Sequence, residues 1–145
     1  MELIEPDGSG PKPSRIGTYE LVACTKIRID DKKSKKLFDA IEFHICKILT
    51  SVAHLSYYEK LNPLDTCEVP ADTDDKRFWS LVFDEWKSQS NEFRIGPKKH
   101  GLLLCIEIFR SEMEFAIQND SQELLDRLKE KGYYPYSDLN RESVV

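Results

Sequence analysis

One short segment restricts the possible fold more than any other part of the sequence. Residues 102–109 read LLLCIEIF, and Glu107 is the only charged residue among them. A run of this length is short for a buried helix, and a strand of this composition needs apolar cover on both of its faces. The segment therefore predicts a strand at the centre of a sheet.

Other segments show strand patterns of their own. In residues 18–29 the charged residues Glu20, Lys26 and Arg28 occupy even-numbered positions. Odd-numbered positions hold apolar residues: Tyr19, Leu21, Ala23 and Ile27. Such alternation is typical of a strand with one face on a core. Residues 78–86 fit both strand and helix spacing, and their aromatic and β-branched content favours a strand. Residues 91–101 add a short strand and a turn.

A long helix is expected between the first two of these strands. Apolar residues recur three or four positions apart with polar residues between them: Leu37, Ile41, Ile45, Ile48, Val52 and Leu55. This pattern predicts an amphipathic helix of roughly 25 residues. We expect Asn62-Pro63 to end it, because the residue before proline disfavours helical geometry. Residues 61–70, LNPLDTCEVP, are expected to form a turn-rich loop.

Two short helices are expected after the apolar strand. Ser111 and Glu114 have the spacing of an S-x-x-E capping box at the start of the first. Asp120 or Ser121 begins the second, and Gly132 closes it. The elements together predict an α+β fold: a mixed or antiparallel sheet packed with one long helix and two short C-terminal helices.

The composition suits a single domain. The chain has 145 residues, of which 40% are hydrophobic and 32% charged. A chain of this length can build a hydrophobic core without disulfide bonds or metal ions to hold it. Residues 1–16 are rich in proline and glycine and are expected to be a flexible lead-in, with the domain over 17–145. No apolar run has the length of a membrane span, and the first residues lack a secretory signal pattern, so a cytoplasmic location is expected.

The charge balance restricts the class of partner. The net charge is −5 and the pI about 5.3, whereas nucleic-acid binding depends on clustered cations that face phosphates. The one basic run is interpreted as the solvated start of the long helix: Lys32, Lys33, Lys35 and Lys36. We therefore expect no nucleic acid and no membrane as partner, and an acidic surface that suits a basic protein.

Motifs for cofactors and metals are missing from the sequence. The six glycines form no phosphate-binding loop. The four cysteines are at least 21 positions apart, unlike the paired ligands of a metal site. The acidic residues Asp72, Asp74 and Asp75 lack the glycine and glutamate that complete a calcium-binding loop. No cofactor and no metal are expected.

A catalytic alternative depends on cysteine. Cys24, Cys46 and Cys105 lie in apolar segments and are expected to be reduced, structural thiols. Cys67 lies in a less apolar segment, so a small hydrolase that uses Cys67 with a histidine remains an alternative, although no local motif supports it. A structural subunit of a larger assembly is a further alternative.

The aromatic residues Trp79, Trp86 and Phe93 have two possible roles. They could form a partner-binding patch, since aromatic side chains are enriched at the centres of interfaces. They could equally fill the core of the domain, which is the commoner role of large aromatic residues.

Several segments, taken in order, carry a family resemblance. Residues 17–22 (GTYELV) resemble a strand in which a Glu-Leu pair opens an apolar run. Residues 61–66 and 68–70 resemble a Pro-Asp-Thr loop. Residues 108–116 (IFRSEMEFA) resemble a Glu-rich helix after the last apolar strand, and residues 138–144 (DLNRESV) an Asp-x-Asn-Arg-x-Ser-Val tail. In this order they resemble the suppressor-of-fused domain family over residues 17–145. A Thr-Ser-Gly-Met-Ser-like stretch of longer members is not found, as expected of a short form or of a chain lacking one edge of the sheet.

The resemblance implies an α+β domain without enzymatic activity that binds other proteins. The animal member binds zinc-finger transcription factors of the Hedgehog pathway, and bacterial relatives, to which this short acidic chain is similar, are proposed to be immunity proteins. The leading hypothesis is a non-catalytic immunity or regulatory protein that neutralises a partner such as a toxin. Binding would use an exposed sheet edge or an acidic face.

The candidate contact residues are two aromatic and two charged side chains: Trp79, Trp86, Asp138 and Arg141. Asp138 and Arg141 are opposite in charge and lie in the tail that matches the family. An ion pair that anchors the tail is the alternative role for these two residues.

Overall fold

The computed structural model describes residues 10–30, 32–71, 77–87 and 94–145. The elements in chain order are β1 (Thr18–Val22), α1 (Lys32–Ser56), β2 (Thr66–Pro70), β3 (Phe78–Glu85), β4 (Arg94–Ile95), β5 (Lys98–Ile108), α2 (Arg110–Gln118) and α3 (Ser121–Glu130). Phe93, the acidic segment 72–75 and the first nine residues of the expected lead-in lie outside the described residues.

The sheet is mixed. Its strand order is β1-β5-β3-β2, with β1 parallel to β5 and the other two neighbouring pairs antiparallel. β4 forms a short antiparallel pair with the start of β5, where Arg94 lies opposite Lys99. The predicted α+β class is confirmed, with one long helix and two short C-terminal helices around a mixed sheet.

β5 lies inside the sheet and is covered on both faces. Leu103 and Cys105 belong to one apolar cluster with residues of α1, which we name the α1 core. Leu104 and Ile106 belong to a second cluster with residues of α2 and α3, which we name the α3 core. Successive residues of a strand face opposite sides, so the protein has three layers: α1, the sheet, and α2 with α3. The prediction of a central strand over residues 102–109 is confirmed.

The helix α1 is buried only in its second half. Its buried residues are Ile48, Val52, Ala53 and Ser56, and none of residues 32–47 is buried. The helix ends at Ser56, earlier than the predicted stop at Asn62-Pro63. The Ser56 hydroxyl donates to the Ala53 carbonyl at 2.6 Å, and such side-chain bonds compete with continuation of a helix.

The predicted capping box is wrong by two residues. The N-cap of α2 is Phe109, and the Glu112 carboxylate accepts the Phe109 backbone amide at 3.0 Å. Glu114, which was expected to fill that role, is exposed and pairs with Arg110 at 3.2 Å. The predicted start of α3 is confirmed, since Asp120 is its N-cap and accepts the Gln122 amide at 2.6 Å.

Two segments differ from their predicted structure because of pairing with distant residues. Residues 61–70 were expected to be a loop, but Thr66–Pro70 form β2, where Val69 is buried opposite Trp79. The strand expected over 18–29 ends at Val22, the last residue paired with β5. Beyond it the Cys24 carbonyl accepts the Ser137 amide at 2.9 Å, so the C-terminal tail replaces β5 as the neighbour.

The chain enters β1 through a constrained turn. Gly17 has a φ of +85°, and a Cβ built there would lie 2.2 Å from the Lys99 carbonyl oxygen, so only glycine fits. Ile16, just before it, is 3% exposed and belongs to the α1 core. The predicted boundary between a flexible lead-in and the domain stays a prediction. Among the described helices, none combines the length and the apolar content required to cross a membrane.

Candidate functional site

A groove lies between α1 and the start of β3, and we name it the α1–β3 groove. Its cavity measures about 600 Å³. Its described lining includes three aromatic side chains, three cations and one carboxylate from the edge strand β2: Phe43, Phe78, Trp79, Lys47, Arg77, Arg110 and Glu68. A concave surface with aromatic walls and a few polar groups is typical of binding sites.

The groove continues along the helix towards its C-terminal half. A second cavity of about 580 Å³ shares Phe43, Lys47 and Trp79 with the first and reaches His54 on α1 and Pro70 on β2. The helical rise places Phe43 and His54 about 16 Å apart along the axis. The combined surface is therefore long enough for a short segment of another chain.

The walls of the groove expose large apolar groups. Phe43 is 64% and Phe78 53% exposed. The Lys47 amine lies 4.9 Å from the centre of the Phe43 ring, which is a cation–π contact. Trp79 is half-buried, and its ring meets the His44 ring edge-on at 5.1 Å between centroids. Neighbouring exposed aromatic side chains are the kind of surface that partner proteins cover.

A buried carboxylate lies against His44, one of the groove-lining residues. Glu107 projects from β5 towards α1, its side chain is 6% exposed, and it lies 2.7 Å from His44 Nε2. Burial raises the pKa of the Glu107 carboxyl, and the hydrogen bond and charge of His44 oppose that rise. The carboxylate therefore fixes the orientation of a half-exposed imidazole, which gives the groove a positioned polar group.

The structure does not bring the four predicted contact residues together. Trp79 lines the α1–β3 groove, whereas Trp86 packs against the α3 core on the other side of the sheet. Asp138 accepts hydrogen bonds from the Thr25 hydroxyl at 2.6 Å and the Lys26 backbone amide at 2.7 Å. Asp138 thus holds the tail to the segment that follows β1, and its contact with a partner stays a prediction.

Arg141 is an internal residue of the fold. Its side chain is 4% exposed, and its guanidinium donates to both carboxylate oxygens of Glu112, at 2.6 and 2.7 Å. The guanidinium also lies 4.9 Å from the ring centre of Phe109 and 5.1 Å from that of Tyr133. Arg141 and Asp138 therefore anchor the tail through separate partners, and not through an ion pair with each other. A contact of Arg141 with a partner stays a prediction.

The geometry around Cys67 does not favour a nucleophile. Burial, followed by the nearby charges of Asp65 and Glu68, raises the pKa of the Cys67 thiol to about 12. A catalytic thiol needs a lowered pKa, because the thiolate is the reactive form. Cys67 also lines a different cavity, in which no histidine is found among the described lining residues. Across the described ranges of the chain, no cluster of metal-ligating side chains was found.

Sequence reasoning missed most of the groove. Phe43 carried a usable signal, because it falls on the polar side of α1, away from the stripe that includes Ile41 and Ile45. Phe78 and Arg110 carried none, since they reach the groove only through the folding of β3 and α2 against α1. The pairing of His44 with Glu107 likewise joins residues 63 positions apart.

Comparison with known proteins identifies a family. The model of the family described as Suppressor of fused protein (SUFU) matches residues 5–142, which is most of the chain. No significant match was found among curated proteins or among solved structures. The matched range contains the strand, loop and helix segments on which the resemblance was based, and all but the last two residues of the tail segment 138–144.

Proposed function

The chain belongs to the suppressor of fused family, and from that premise we propose that it is a non-catalytic immunity or regulatory protein that binds and neutralises a partner protein such as a toxin. The family supports a regulatory role through binding of other proteins. The observation that carries the proposal is the α1–β3 groove, where Phe43 and Phe78 remain more than half exposed. Burial of exposed aromatic side chains by a partner removes much apolar surface from water and contributes strongly to the free energy of binding.

The edge of the sheet extends this surface. β2 has β3 as its neighbour, and the Phe83 amide donates to the Asp65 carbonyl while the Ala71 amide donates to the Arg77 carbonyl. Hydrogen-bonded pairs alternate along an antiparallel ladder, so the backbone groups of Thr66 and Glu68 point away from β3. An extended segment of the partner could pair with them. Pro70 ends this edge, because it has no amide to donate.

The proposed binding role involves no catalysis. The family is generally non-enzymatic and regulatory, and the raised pKa of the Cys67 thiol gives no support to the alternative of a cysteine-dependent hydrolase. Four free thiols, Cys24, Cys46, Cys67 and Cys105, suit a reducing compartment, so we place the action of the protein in the cytoplasm. We propose a bacterial source because the short acidic chain is similar to the bacterial relatives of the family. Trp79 lines the groove and is proposed to contact the partner directly, while partner contacts of Trp86, Asp138 and Arg141 stay predictions.

Co-expression provides the test. Proteins encoded beside this chain are expressed with and without it, and binding is measured by pull-down and neutralisation by cell survival. We expect survival to depend on the chain and to be lost when Phe43 and Phe78 are both replaced by alanine. The matched control is Ile117→Ala, which removes an equally exposed apolar side chain from α2 and should leave survival unchanged.

The opposite results are equally defined. If neither the neighbouring proteins nor a wider lysate screen yields a partner, the proposed function is wrong. If a partner is neutralised as well by the Phe43→Ala, Phe78→Ala variant as by the original chain, binding occurs elsewhere and the assignment of the groove is wrong.

A further inference from the structure

We propose that the α1–β3 groove binds an acidic segment of the partner protein, one that places a large apolar side chain among Phe43, Phe78 and Trp79 and carboxylates beside Lys47 and Arg110. The inference rests on the proposed function and adds the chemistry of the bound segment. It also reverses the expectation from net charge, which favoured a basic partner.

Among the described residues that line the groove, cations outnumber carboxylates, whereas the whole chain has a negative net charge. The cations of this described lining are Lys47, Arg77 and Arg110, and its carboxylate is Glu68. Arg110 lies 3.8 Å from Glu68 and 3.2 Å from Glu114, which lies outside the lining. The helix α1 has five lysines and two carboxylates, a formal charge of +3, whereas the whole chain has −5. The rest of the chain therefore carries −8. Such a separation of charge orients an approaching partner and selects an acidic segment for this side.

Four lysines at the start of α1 supply most of the positive charge counted for this helix. Lys32, Lys33, Lys35 and Lys36 are all exposed, and the first turn has no acidic residue. The N-terminus of a helix is the positive end of its dipole, where lysines are unfavourable and carboxylates are preferred. The charge of these lysines therefore gains nothing from the helix dipole, and it adds to the positive charge of the helix that forms one wall of the groove.

The apolar part of the site explains why the segment needs more than charge. Phe43 of α1 and Phe78 of β3 both line the groove and are more than half exposed, and the half-buried Trp79 lines it with them. The Lys47 amine already lies over the Phe43 ring. A side chain that enters between the rings brings its neighbouring backbone, and any carboxylate on it, close to that amine.

A protein segment fits these features better than a nucleic acid or a lipid surface. A polyanion longer than the groove would meet the remaining charge of −8 on the rest of the chain, derived above, and be repelled. A flat lipid surface cannot reach Trp79 at the inside of a concave groove. A short acidic segment with one apolar anchor meets neither difficulty.

The test uses the full chain and three immobilised probes. The first is a set of short peptides with one Phe or Trp flanked by Asp and Glu, the second is the same set with Lys and Arg in place of the acidic residues, and the third is oligo(U). We expect the acidic set to bind best, with an affinity that falls by about tenfold as salt rises from about 50 to about 300 mM, because added ions screen exposed charges. Binding to the acidic set should also fall at least about tenfold in the double variant Lys47→Glu, Arg110→Glu.

The control has the same change of charge on the opposite layer. Lys129 and Lys131 are exposed cations of α3 and its C-cap, and the variant Lys129→Glu, Lys131→Glu should bind the acidic set as the original chain does. Thermal unfolding of each variant establishes that it is folded before binding is compared.

Several results would overturn the inference. These are preference for the basic set or for oligo(U), binding to none of the probes, or an equal loss of binding in the control variant. These results leave the proposed function unaffected, because partner capture and cell survival test it separately. Survival that is lost only in the variant reversed at Lys47 and Arg110 would support both.

Discussion

Glu112 places a fully buried carboxylate inside the fold, and four donors reach it. Two come from the Arg141 guanidinium and the others are the backbone amides of Phe109 and Val144, each at 3.0 Å. The same side chain thus caps the start of α2 and binds the tail. A carboxylate without solvent is tolerated only where its charge is paired and its lone pairs are used.

The first prediction concerns this pair. Arg141→Ala leaves the Glu112 charge buried and without its cation, so we expect the free energy of unfolding to fall by about 3–5 kcal/mol. Urea titration followed by circular dichroism measures it. Arg110→Ala is the matched control, because the Arg110 side chain is 69% exposed where it pairs with Glu114, and such pairs contribute about 0–1 kcal/mol. Equal losses in the two variants would contradict the structural role of Arg141.

The second prediction concerns Glu107 and pH. Burial raises the pKa of this carboxyl above its ordinary value of 4.5. When the pKa of a group is higher in the folded chain, its contribution to stability is fully present at pH values below the pKa of the unfolded chain. This contribution is lost as the pH rises through the pKa of the folded chain. We therefore expect Glu107→Gln to gain stability relative to the original chain as pH increases from about 4.5 towards neutrality. Urea midpoints measured across this range provide the comparison.

His44 supplies the companion variant for that experiment. The hydrogen bond and charge of His44 lower the pKa of Glu107, so His44→Ala should raise that pKa further and extend the loss of stability to higher pH. At neutral pH we expect a cost of about 1–3 kcal/mol for the buried carboxylate left without its hydrogen bond. Parallel pH profiles for the original chain and Glu107→Gln would show that Glu107 does not titrate in this range.

At the scale of elements, α1 divides into two halves with different roles. Its second half fills the α1 core, and its first half carries Leu37, which is 52% exposed, with four lysines around it. The length of the helix therefore exceeds what packing on the sheet requires. The excess forms one wall of the groove and carries the positive charge.

The third prediction separates these halves. Ile48→Ala removes a side chain that is 2% exposed, so we expect a loss of about 2–5 kcal/mol in the free energy of unfolding. Leu37→Ala removes an exposed leucine from the same helix, and we expect a change within about 0.5 kcal/mol. Thermal and urea unfolding of both variants measures the difference. A large loss from Leu37→Ala would show that the first half of α1 is covered by part of the fold.

The sequence predicted the elements that have a strong local pattern. The uniform apolar run of residues 102–109 allowed few alternatives, and the spacing from Leu37 to Leu55 is that of a helix. β2 was missed because LNPLDTCEVP contains two prolines and its pairing with β3 is a tertiary effect that overrides local preference. The capping box was displaced because Ser111 and Glu114 have the right spacing, yet burial of Glu112 against Arg141 decides where α2 begins.

The groove was largely beyond prediction for the same reason. Its described lining comes from α1, β2, β3, the first residue of α2, and Ala71 and Arg77 from the connection between β2 and β3. No short motif joins these residues. Trp79 was selected for its chemistry and lies in the groove, while Trp86 was selected on the same grounds and packs against the α3 core on the other face. Strand positions seven residues apart face opposite sides of a sheet. Only the assignment of residues 78–86 as a strand could therefore have indicated that the two tryptophans separate.

At the scale of the whole molecule, the two cores share the strands that separate them. β3 contributes Leu81 and Phe83 to the α1 core and Val82 to the α3 core, and β5 contributes to both in the same alternating way. Loss of either helical layer would expose one face of both strands. The three layers should therefore unfold as one cooperative unit, as is usual for a domain of this size.

The chain carries its own reporters for this last prediction. Its two tryptophans lie on different faces, Trp79 against the α1 core and Trp86 against the α3 core. In the variants Trp79→Phe and Trp86→Phe, the remaining tryptophan reports one layer, and fluorescence can be compared with circular dichroism in the same urea titration. We expect coincident transitions in each variant. Addition of Ile48→Ala to either variant should lower the midpoints of the fluorescence and circular dichroism transitions together, although Ile48 packs in the α1 core alone. A midpoint that moves for Trp79 but not for Trp86 would mean that the α2–α3 layer and the sheet hold together after α1 has detached, and the groove would then be the less stable side of the protein.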